Sequence, residues 1–555
     1  MHFKLISNYK FQISNSQKGI ATLEILIAMT LIVFSISATL PLVFSGQSTS
    51  VDSQTNQEAL YKAQALLEDG RATGFNSVNA ITATLDGIYT KNRTVVPDIN
   101  NSDIKTVTSN VLWNNGKQQY VSLSTILTDP FSAAGICNPT VSLGWDHPQA
   151  YAFDSAIDLA QQATGNSSNG LGIADVKILR HKMYIAAEYT ANDSNDFYVF
   201  GLTSNPMQTP SYLGRTNTVG RSNHYALHSV AVGVSGNRLY AYVANAINFN
   251  FTTCVDANLC PQFQIIDVTP DPVTGAVNPT IVPTGNLKMP VTGPNTCNGS
   301  NNCLGGQGTG KVIYYNQGYV YLGLIKPASG PEFYIIDVGG GGGAASPTNP
   351  ILKGSYTVGN TINDIVVKDN YAYLATDDNS GGINHGNILV LDITNKNANP
   401  LPVASYYNAA SIAYGRSVSV SGSNIYLGRT YINSTSANYY SFNGSPMSAP
   451  LSVSSSKVTG ANDNIDGLAV RSNLVFLMIN NSASLSNSRF QVLDMSNGNN
   501  PYGSISLQSI VAQLQGNGNN FSGSSTLNCT GNYFYISIQT NGHNKDILAV
   551  IGPNT

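Results

Sequence analysis

The side chains of this sequence that could do chemistry are few, and they stand apart from one another. Asp175, Asp364 and Asp466 come just ahead of β-forming runs at comparable places, and Lys311 and Arg416 hold neighbouring places in two further runs. Acid–base or nucleophilic catalysis needs an acid, a base and a nucleophile that converge, and no such set is recognisable. The patterns G-x-S-x-G and H-E-x-x-H are absent, and so is a glycine-rich loop leading into Lys-Ser/Thr. The run Gly339 to Gly343 has no helix after it and reads as a loop. His224-x3-His228 has the spacing that binds metal on a helix, but here it falls in β or loop sequence and converges on nothing. Asp377-Asp378-Asn379 offers oxygen ligands in a loop, yet its spacing matches no calcium-loop pattern. No catalytic residue, metal or cofactor is therefore expected, and the chain reads as a non-enzyme.

Four of the six cysteines fall as Cys254-x5-Cys260 and Cys297-x5-Cys303 in Asn/Gly-rich sequence. Zinc would usually want closer pairs or nearby histidines, so short local disulfides in an oxidising compartment are the expectation. Charged residues make up 10% of the chain, the net charge is −3, and the 27 Lys and Arg are spread thinly. Nucleic acid is thereby excluded as an expected partner, since phosphate binding needs a concentrated basic surface. Asn, Ser, Thr and Gly supply the polarity, beside 30 Tyr and only 2 Trp, as in an all-β surface protein. A chain of 555 residues exceeds the ~250–300 at which single cores stop growing, so at least two units are expected.

The elements that would position these groups begin with a helix. Residues 1–19 carry Lys4, Lys10 and Lys18 without an acidic residue and end in Gln17-Lys18-Gly19, directly before the 25-residue apolar run Ile20 to Phe44. At ~1.5 Å per residue the run is long enough for a hydrocarbon core of about 30 Å, with the basic side cytoplasmic. Glu24 lies early in this span and Pro41 near its far end; a carboxylate in hydrocarbon costs several kcal/mol unless partnered, so it marks function. A secretory signal would be cut after its apolar segment, whereas Gly19 precedes this one.

This arrangement resembles the class III signal of type IV prepilins. The resemblance implies that a prepilin peptidase cuts between Gly19 and Ile20, that the new N-terminus is methylated, and that the apolar helix is kept for assembly. Glu24 becomes the fifth mature residue and Pro41 the twenty-second, the places where the family has these residue types. Ile20 stands where the family usually has Phe. Glu24 is then expected to meet the amino terminus of a neighbouring subunit. Leu60, Ala63 and Leu67 continue the helical spacing, and Gly70 and Gly74 are expected to end it.

From residue 75 to 129 the chain reads as short strands, with Asn114-Asn115-Gly116 as a hairpin turn before Tyr120 to Leu123. Val111 to Thr128 is similar to the small sheet that follows the helix in minor pilins and pseudopilins. After residue 170 a unit of two apolar positions, a turn and aromatic-x-aromatic recurs seven times. Its anchors Tyr184, Tyr240, Tyr321, Tyr373, Tyr426, Phe476 and Tyr535 are spaced by 56, 81, 52, 53, 50 and 59 residues. A second phrase, aliphatic-aliphatic-Asp-aliphatic, follows most anchors at Asp267, Asp337, Asp392 and Asp494. Units of roughly 50 residues with four short strands predict a β-propeller of about seven blades over 130–555. The second phrase resembles the LVIVD repeat, whose copies are presumed blades in bacterial surface proteins. First strands line a propeller's channel, so Asp175, Asp364, Asp466, Lys311 and Arg416 are expected to ring its mouth as ligand-binding groups, solvated charges or seam hydrogen-bonders. A bond between Cys137 and Cys529 would fasten the ring at its seam.

The expected organisation is a leader over 1–19, a helix over 20–74 with its membrane span at 20–44, a small β region over 75–129, and the propeller. The expected role is a minor pilin-like subunit. It is a single-pass precursor in the cytoplasmic membrane with its C-terminal domain outside the cytoplasm, and then displays the propeller on a pilus, at its tip, or on the cell surface, for adhesion to or binding of a glycan or protein. The alternatives are a pseudopilin with a cargo-binding propeller and a surface propeller enzyme.

Overall fold

The structure is a computed structural model. It describes residues 20–73, 78–97, 104–114, 117–128, 144–152, 171–180, 182–190, 195–202, 210–218, 227–235, 238–245, 261–271, 276–291, 309–341, 344–378, 384–407, 413–431, 436–445, 450–515, 521–530, 532–540 and 546–554, with the single residues 380, 433 and 447. The chain divides into two compact units, Met1–Pro130 and Phe131–Thr555.

In the first unit, helix α1 runs unbroken from Ile20 to Thr73, and four strands follow: β1 (Ile81–Asp86), β2 (Tyr89–Pro97), β3 (Ile104–Asn114) and β4 (Gln118–Thr128). They form one antiparallel meander in the order β1-β2-β3-β4. The helix meets the sheet through Ala59, Ala63 and Leu67, all buried, against Tyr89, Val107, Val111 and Trp113. The seam steps by four residues and so holds to one face of the helix. Leu60, expected on that seam, points outward and is 38% exposed. Gly70 does not end the helix; a β-carbon there would stand 3.1 Å from Arg93 Nη1, so the position is kept bare for that side chain. Buried Arg93 donates from Nη1 to Asp69 Oδ2 at 2.9 Å and to the Leu66 carbonyl at 3.2 Å, and from Nε to the Asn79 carbonyl at 3.1 Å. These bonds tie the last turns of the helix to β2 and to the segment that follows the helix.

The expected membrane span is not reproduced as such. Within 20–44 the backbone is helical throughout, and side chains are described for 26–39. Among the described residues no helix is long and apolar enough to cross a membrane. Leu26, Ile27, Met29, Leu31, Ile32, Val33, Phe34 and Ile36 are nevertheless all at least half exposed.

Among the described residues the second unit holds seven of the eight four-stranded sheets. Six are continuous in sequence, their first strands being Leu171–Leu179, Leu227–Ser235, Gly310–Asn316, Ile362–Lys368, Gly415–Ser421 and Asp463–Arg471. The seventh takes Phe521–Thr530, Tyr533–Thr540 and Ile547–Gly552 from the C-terminal end and Gln149–Ala152 from far upstream as its outermost strand. Each first strand touches the first strand of the next sheet, and the seventh touches the first. The sheets are thus blades closed into a ring, a β-propeller. The seven anchor aromatics are each the third residue of a second strand, and all are at most 5% exposed. The hairpins before them turn through left-handed residues, among them Arg180, Gln317, Asp369 and Ser472, as two-residue turns matched to strand twist require.

Where the ring closes, Trp145 is fully buried, with its ring 4.8 Å from Phe476, 5.6 Å from Phe534 and 6.1 Å from Phe490. A helix, α2 (Leu507–Gln515), adds Leu507, Ile510 and Val511 to the same cluster. Arg471 lies over Phe476 and Phe534, and burial pulls its guanidinium down to about 10. The Gly144 carbonyl accepts from His147 N and Asn554 N, and Tyr151 donates its hydroxyl to the Pro553 carbonyl at 2.6 Å. Trp145→Ala should cost about 3–5 kcal/mol of stability through the cavity it leaves between blades six and seven. Equilibrium denaturation followed by circular dichroism checks this; a loss under about 1 kcal/mol would show that the closure does not depend on the indole.

Candidate functional site

The first strand of every blade carries a β-bulge near its start, where the pairing with the second strand slips by one residue. A bulge leaves an extra residue out of the ladder and re-aims its side chain. The extra residues include Ala174, His228, Lys311, Asn363, Arg416, Asp466 and Ser525, one per blade. The next position holds Asp175, Ser229, Val312, Asp364, Ser417, Gly467 and Thr526. The five charged residues singled out in the sequence therefore lie inside the first strands rather than ahead of them. They also fall at two positions instead of one: Lys311, Arg416 and Asp466 are bulge residues, while Asp175 and Asp364 come one step later.

The later position works as a latch between blades. Asp175 Oδ2 accepts from Ser229 Oγ at 2.7 Å and from Val230 N at 3.0 Å, both in the second blade. Ser229 Oγ in turn accepts from Ile313 N of the third at 3.3 Å. Asp364 Oδ2 accepts from Val418 N of the fifth blade at 2.9 Å, and Ser417 Oγ donates to the Ile465 carbonyl of the sixth at 3.0 Å. Asp546 Oδ2 accepts from Ile173 N, joining the seventh blade to the first. Of the readings open for Asp175 and Asp364, the geometry favours seam hydrogen-bonders.

At the bulge position His228 Nδ1 donates to the Gly310 carbonyl at 2.6 Å, and Asn363 Nδ2 donates to the Gly415 carbonyl at 2.7 Å, in each case the first residue of the next blade. Arg416 Nε lies 3.7 Å from Asp466 Oδ1, and Asp466 Oδ2 accepts from Asn480 at 2.7 Å. The Arg416 and Asp466 side chains keep 40% and 26% of their surface exposed, and Lys311 is half-buried. Lys177, 38% exposed, lies 3.9 Å from Asp175. The result is a stiff polar collar of mixed charge around the start of the first strands. It can hydrogen-bond a ligand, and among its described residues no nucleophile is brought to a base.

Burial pushes the Asp364 carboxyl up to about 6 and the nearby Asp175 charge adds to the rise, while the Val418 and Ile365 N–H groups and the Lys177 charge hold it down.

Other expected features resolve locally. The N–H groups of Gly339, Gly340 and Gly341 all point at Asp337 Oδ1, 2.9 to 3.2 Å away, so the glycine run cradles the chain's own carboxylate. Asp267, Asp392 and Asp494 likewise accept from the N–H two residues on, at 3.0, 2.8 and 2.8 Å. The recurrent aspartate is thus a turn former at the end of four of the seven third strands. Asp378 is buried and accepts from Ser380 N and Oγ at 2.8 and 2.5 Å, while His385 Nδ1 lies 2.7 Å from its other oxygen. Serine and histidine each bind the carboxylate, not each other, which is the wrong order for a nucleophile and its base. Asp377 Oδ1 accepts from Asn363. Among the described residues no group of three His, Cys, Asp or Glu could hold a metal ion.

Cys529, 5% exposed, is disulfide-bonded. Cys137, Cys254, Cys260, Cys297 and Cys303 lie outside the described residues, as do Gly19 and the side chains of Ile20, Glu24 and Pro41.

One recurrent position escaped the sequence reading. The residue directly before each third strand is polar: Asp196, Gln262, Glu332, Asn387, Asn438, Ser488 and Asp546, the first six of them buried. Asp196 holds Thr218, Gln262 holds Met289 N, Glu332 holds Val358 N and Gly359 N, and Asn438 holds Thr459 N, so these residues fasten the loops at the collar's end. A polar residue abutting a buried strand was the available signal, as in Asp-Phe-Tyr-Val-Phe and Glu-Phe-Tyr-Ile-Ile.

No family model and no curated protein matches the chain. Among solved structures it is similar to the WD40 β-propeller domain of Doa1, at 10% identity and TM-score 0.39, covering 70% of this chain and 99% of that one. It is also similar to the hydrazine synthase of Kuenenia stuttgartiensis, at 12% and 0.38, covering 68% and 95%. A prolyl endopeptidase matches at 10% and 0.38, covering 69% of this chain and 46% of its own. Likenesses at this level carry no argument; strand order and ring closure define the second unit as a seven-bladed β-propeller.

The latch makes a prediction. The folded chain takes up a proton on Asp364 near pH 6, whereas the unfolded chain does so only near 3.8. This group's contribution to stability is therefore full below about pH 4 and lost as pH rises through about 6. In Asp364→Asn that dependence disappears, so the stability of the wild type relative to the variant should fall between pH 4 and pH 7. Urea midpoints across that range test it, and a constant difference would refute it.

Proposed function

We propose that the chain is a minor type IV pilin-like subunit that displays its propeller outside the cell for adhesion to a glycan or protein. The observation that carries this is helix α1. It is continuous from Ile20 to Thr73, its stretch from Leu26 to Ile36 is apolar and exposed, and its stretch from Ala59 to Leu67 is seated on a four-stranded sheet. A helix with one exposed apolar stretch and one packed stretch suits a segment held first in a membrane and then among other subunits. Gly19, Ile20, Glu24 and Pro41 stand where prepilin processing and assembly would need them, so a prepilin peptidase and other pilin subunits are the proposed partners. A Cys137–Cys529 bond belongs to the same reading, with the propeller in an oxidising compartment. The collar is proposed to bind rather than to catalyse, because Asp175 and Asp364 already accept backbone N–H groups of neighbouring blades.

Gold-labelled antibody against the propeller, imaged on whole cells and sheared filaments, should mark filament ends. In a Gly19→Leu chain the leader should be retained and the filament label lost. Gold confined to the envelope beside bare filaments would replace this reading with that of a pseudopilin carrying cargo. Once a ligand is found by glycan and protein screening, Lys311→Ala with Arg416→Ala should weaken its binding at least tenfold without changing the fold; unchanged affinity would move the ligand site off the collar.

A further inference from the structure

The two edges of the small sheet in the first unit are built differently. β1 is short, its pairing with β2 breaks between Ile81 and Thr84, and it ends at Asp86, whose carboxylate lies 3.0 Å from both Lys62 and Lys91. Irregularity and charge are the usual guards of an edge. β4 has neither. Its sequence, QQYVSLSTILT, holds no charge, proline or glycine, and it pairs with β3 without a slip from Ile104↔Thr128 to Asn114↔Gln118. No other strand pairs with it among the described residues. A long, regular, uncharged edge is a template for strand addition.

The sequence of β4 names the strand that fits. Tyr120 and Ile126 are 74% and 66% exposed, on the same face as Ser122 and Ser124, and lie symmetrically about Leu123. When a second β4 is laid antiparallel about Leu123, each Tyr120 falls opposite the other copy's Ile126, and each Ser122 opposite the other's Ser124. On the opposite face Val121 meets Thr125 and Leu123 meets its own copy. No charge is buried, and two aromatic–aliphatic pairs form, the kind of cross-strand pair that stabilises antiparallel sheets. The arrangement is self-complementary, as a two-fold interface must be. We infer that two copies of this chain join edge to edge through β4, making one continuous eight-stranded sheet; the two-fold turns the two α1 helices antiparallel, so on the proposed function the pair bridges copies in opposing membranes or filaments, not neighbours in one.

Full-length protein in detergent tests this with cysteine variants and charge pairs. Tyr120→Cys and Ile126→Cys chains, oxidised after mixing, should give a disulfide-linked dimer that neither variant gives alone beyond the wild-type background. Ser122→Lys with Ser124→Lys places like charges opposite one another twice, and should weaken self-association at least tenfold in sedimentation. Ser122→Lys with Ser124→Glu places opposite charges there and should restore it, which separates this edge from association through the exposed part of α1. A monomeric wild type at tens of micromolar, cross-linking of Tyr120→Cys with itself as strong as in the mixture, or equal association of the two charge variants would each overturn the inference. Pairing of β4 with a strand of another protein would appear as the first of these outcomes.

Discussion

Blades arranged radially meet through their faces, so no backbone ladder runs from one blade to the next. Side chains at the axis must supply that connection, and in this chain the residue after each bulge carries much of it. A carboxylate or hydroxyl there reaches a main-chain group of the following blade, as Asp175 does to Val230 and Ser417 to Ile465. Hydrogen bonds with a charged partner contribute roughly 1.5–3 kcal/mol where neutral ones give about 1. Where the position is apolar or bare the seam closes by contact instead: Val312 packs near Ile362, and a β-carbon on Gly467 would press on Leu527. The bulge is what makes the latch workable, since it lets two consecutive residues, such as His228 with Ser229 or Asn363 with Asp364, both reach the following blade.

Much of this architecture was legible in the sequence because blades repeat. The anchor aromatics gave the phase of the second strands, and the Asp-containing phrase gave the ends of the third. The strand that completes the seventh blade was not legible, because Gln149–Ala152 belongs to a blade whose other strands lie some 400 residues on, and nothing local marks it. The collar was half legible. Charges near the strand starts could be seen, but a one-residue bulge decides which of them accepts an N–H of the next blade, and that slip leaves no periodic trace. Leu60 illustrates the same limit on a helix: spacings of three and four both look right, and the sheet alone chose Ala59.

The first unit shows a different economy. Helix α1 buries only small residues against the sheet over Ala59 and Ala63, which lets Trp113 and Tyr89 come close to its backbone, and it relies on one buried arginine near its end. From Leu26 to Ile36 its apolar side chains are at least half exposed. Such a surface states a need for something outside the fold, and the guarded edge of β1 beside the open edge of β4 states the same need in backbone terms.

The joint between the N-terminal chain and the ring has a mechanical meaning. Residues 144–152 are both the tether and the closing strand, fixed by Trp145 among three phenylalanines and by four residue pairs to Ile547–Gly552. Tension applied along the chain from the N-terminal side is delivered to the outer edge of the seventh blade, and through the Gly144 carbonyl to Asn554 near the other end of the polypeptide. The two chain ends share the load. Closure and traction therefore share one strand, and a Cys137–Cys529 bond, as proposed, would take the load before that strand does.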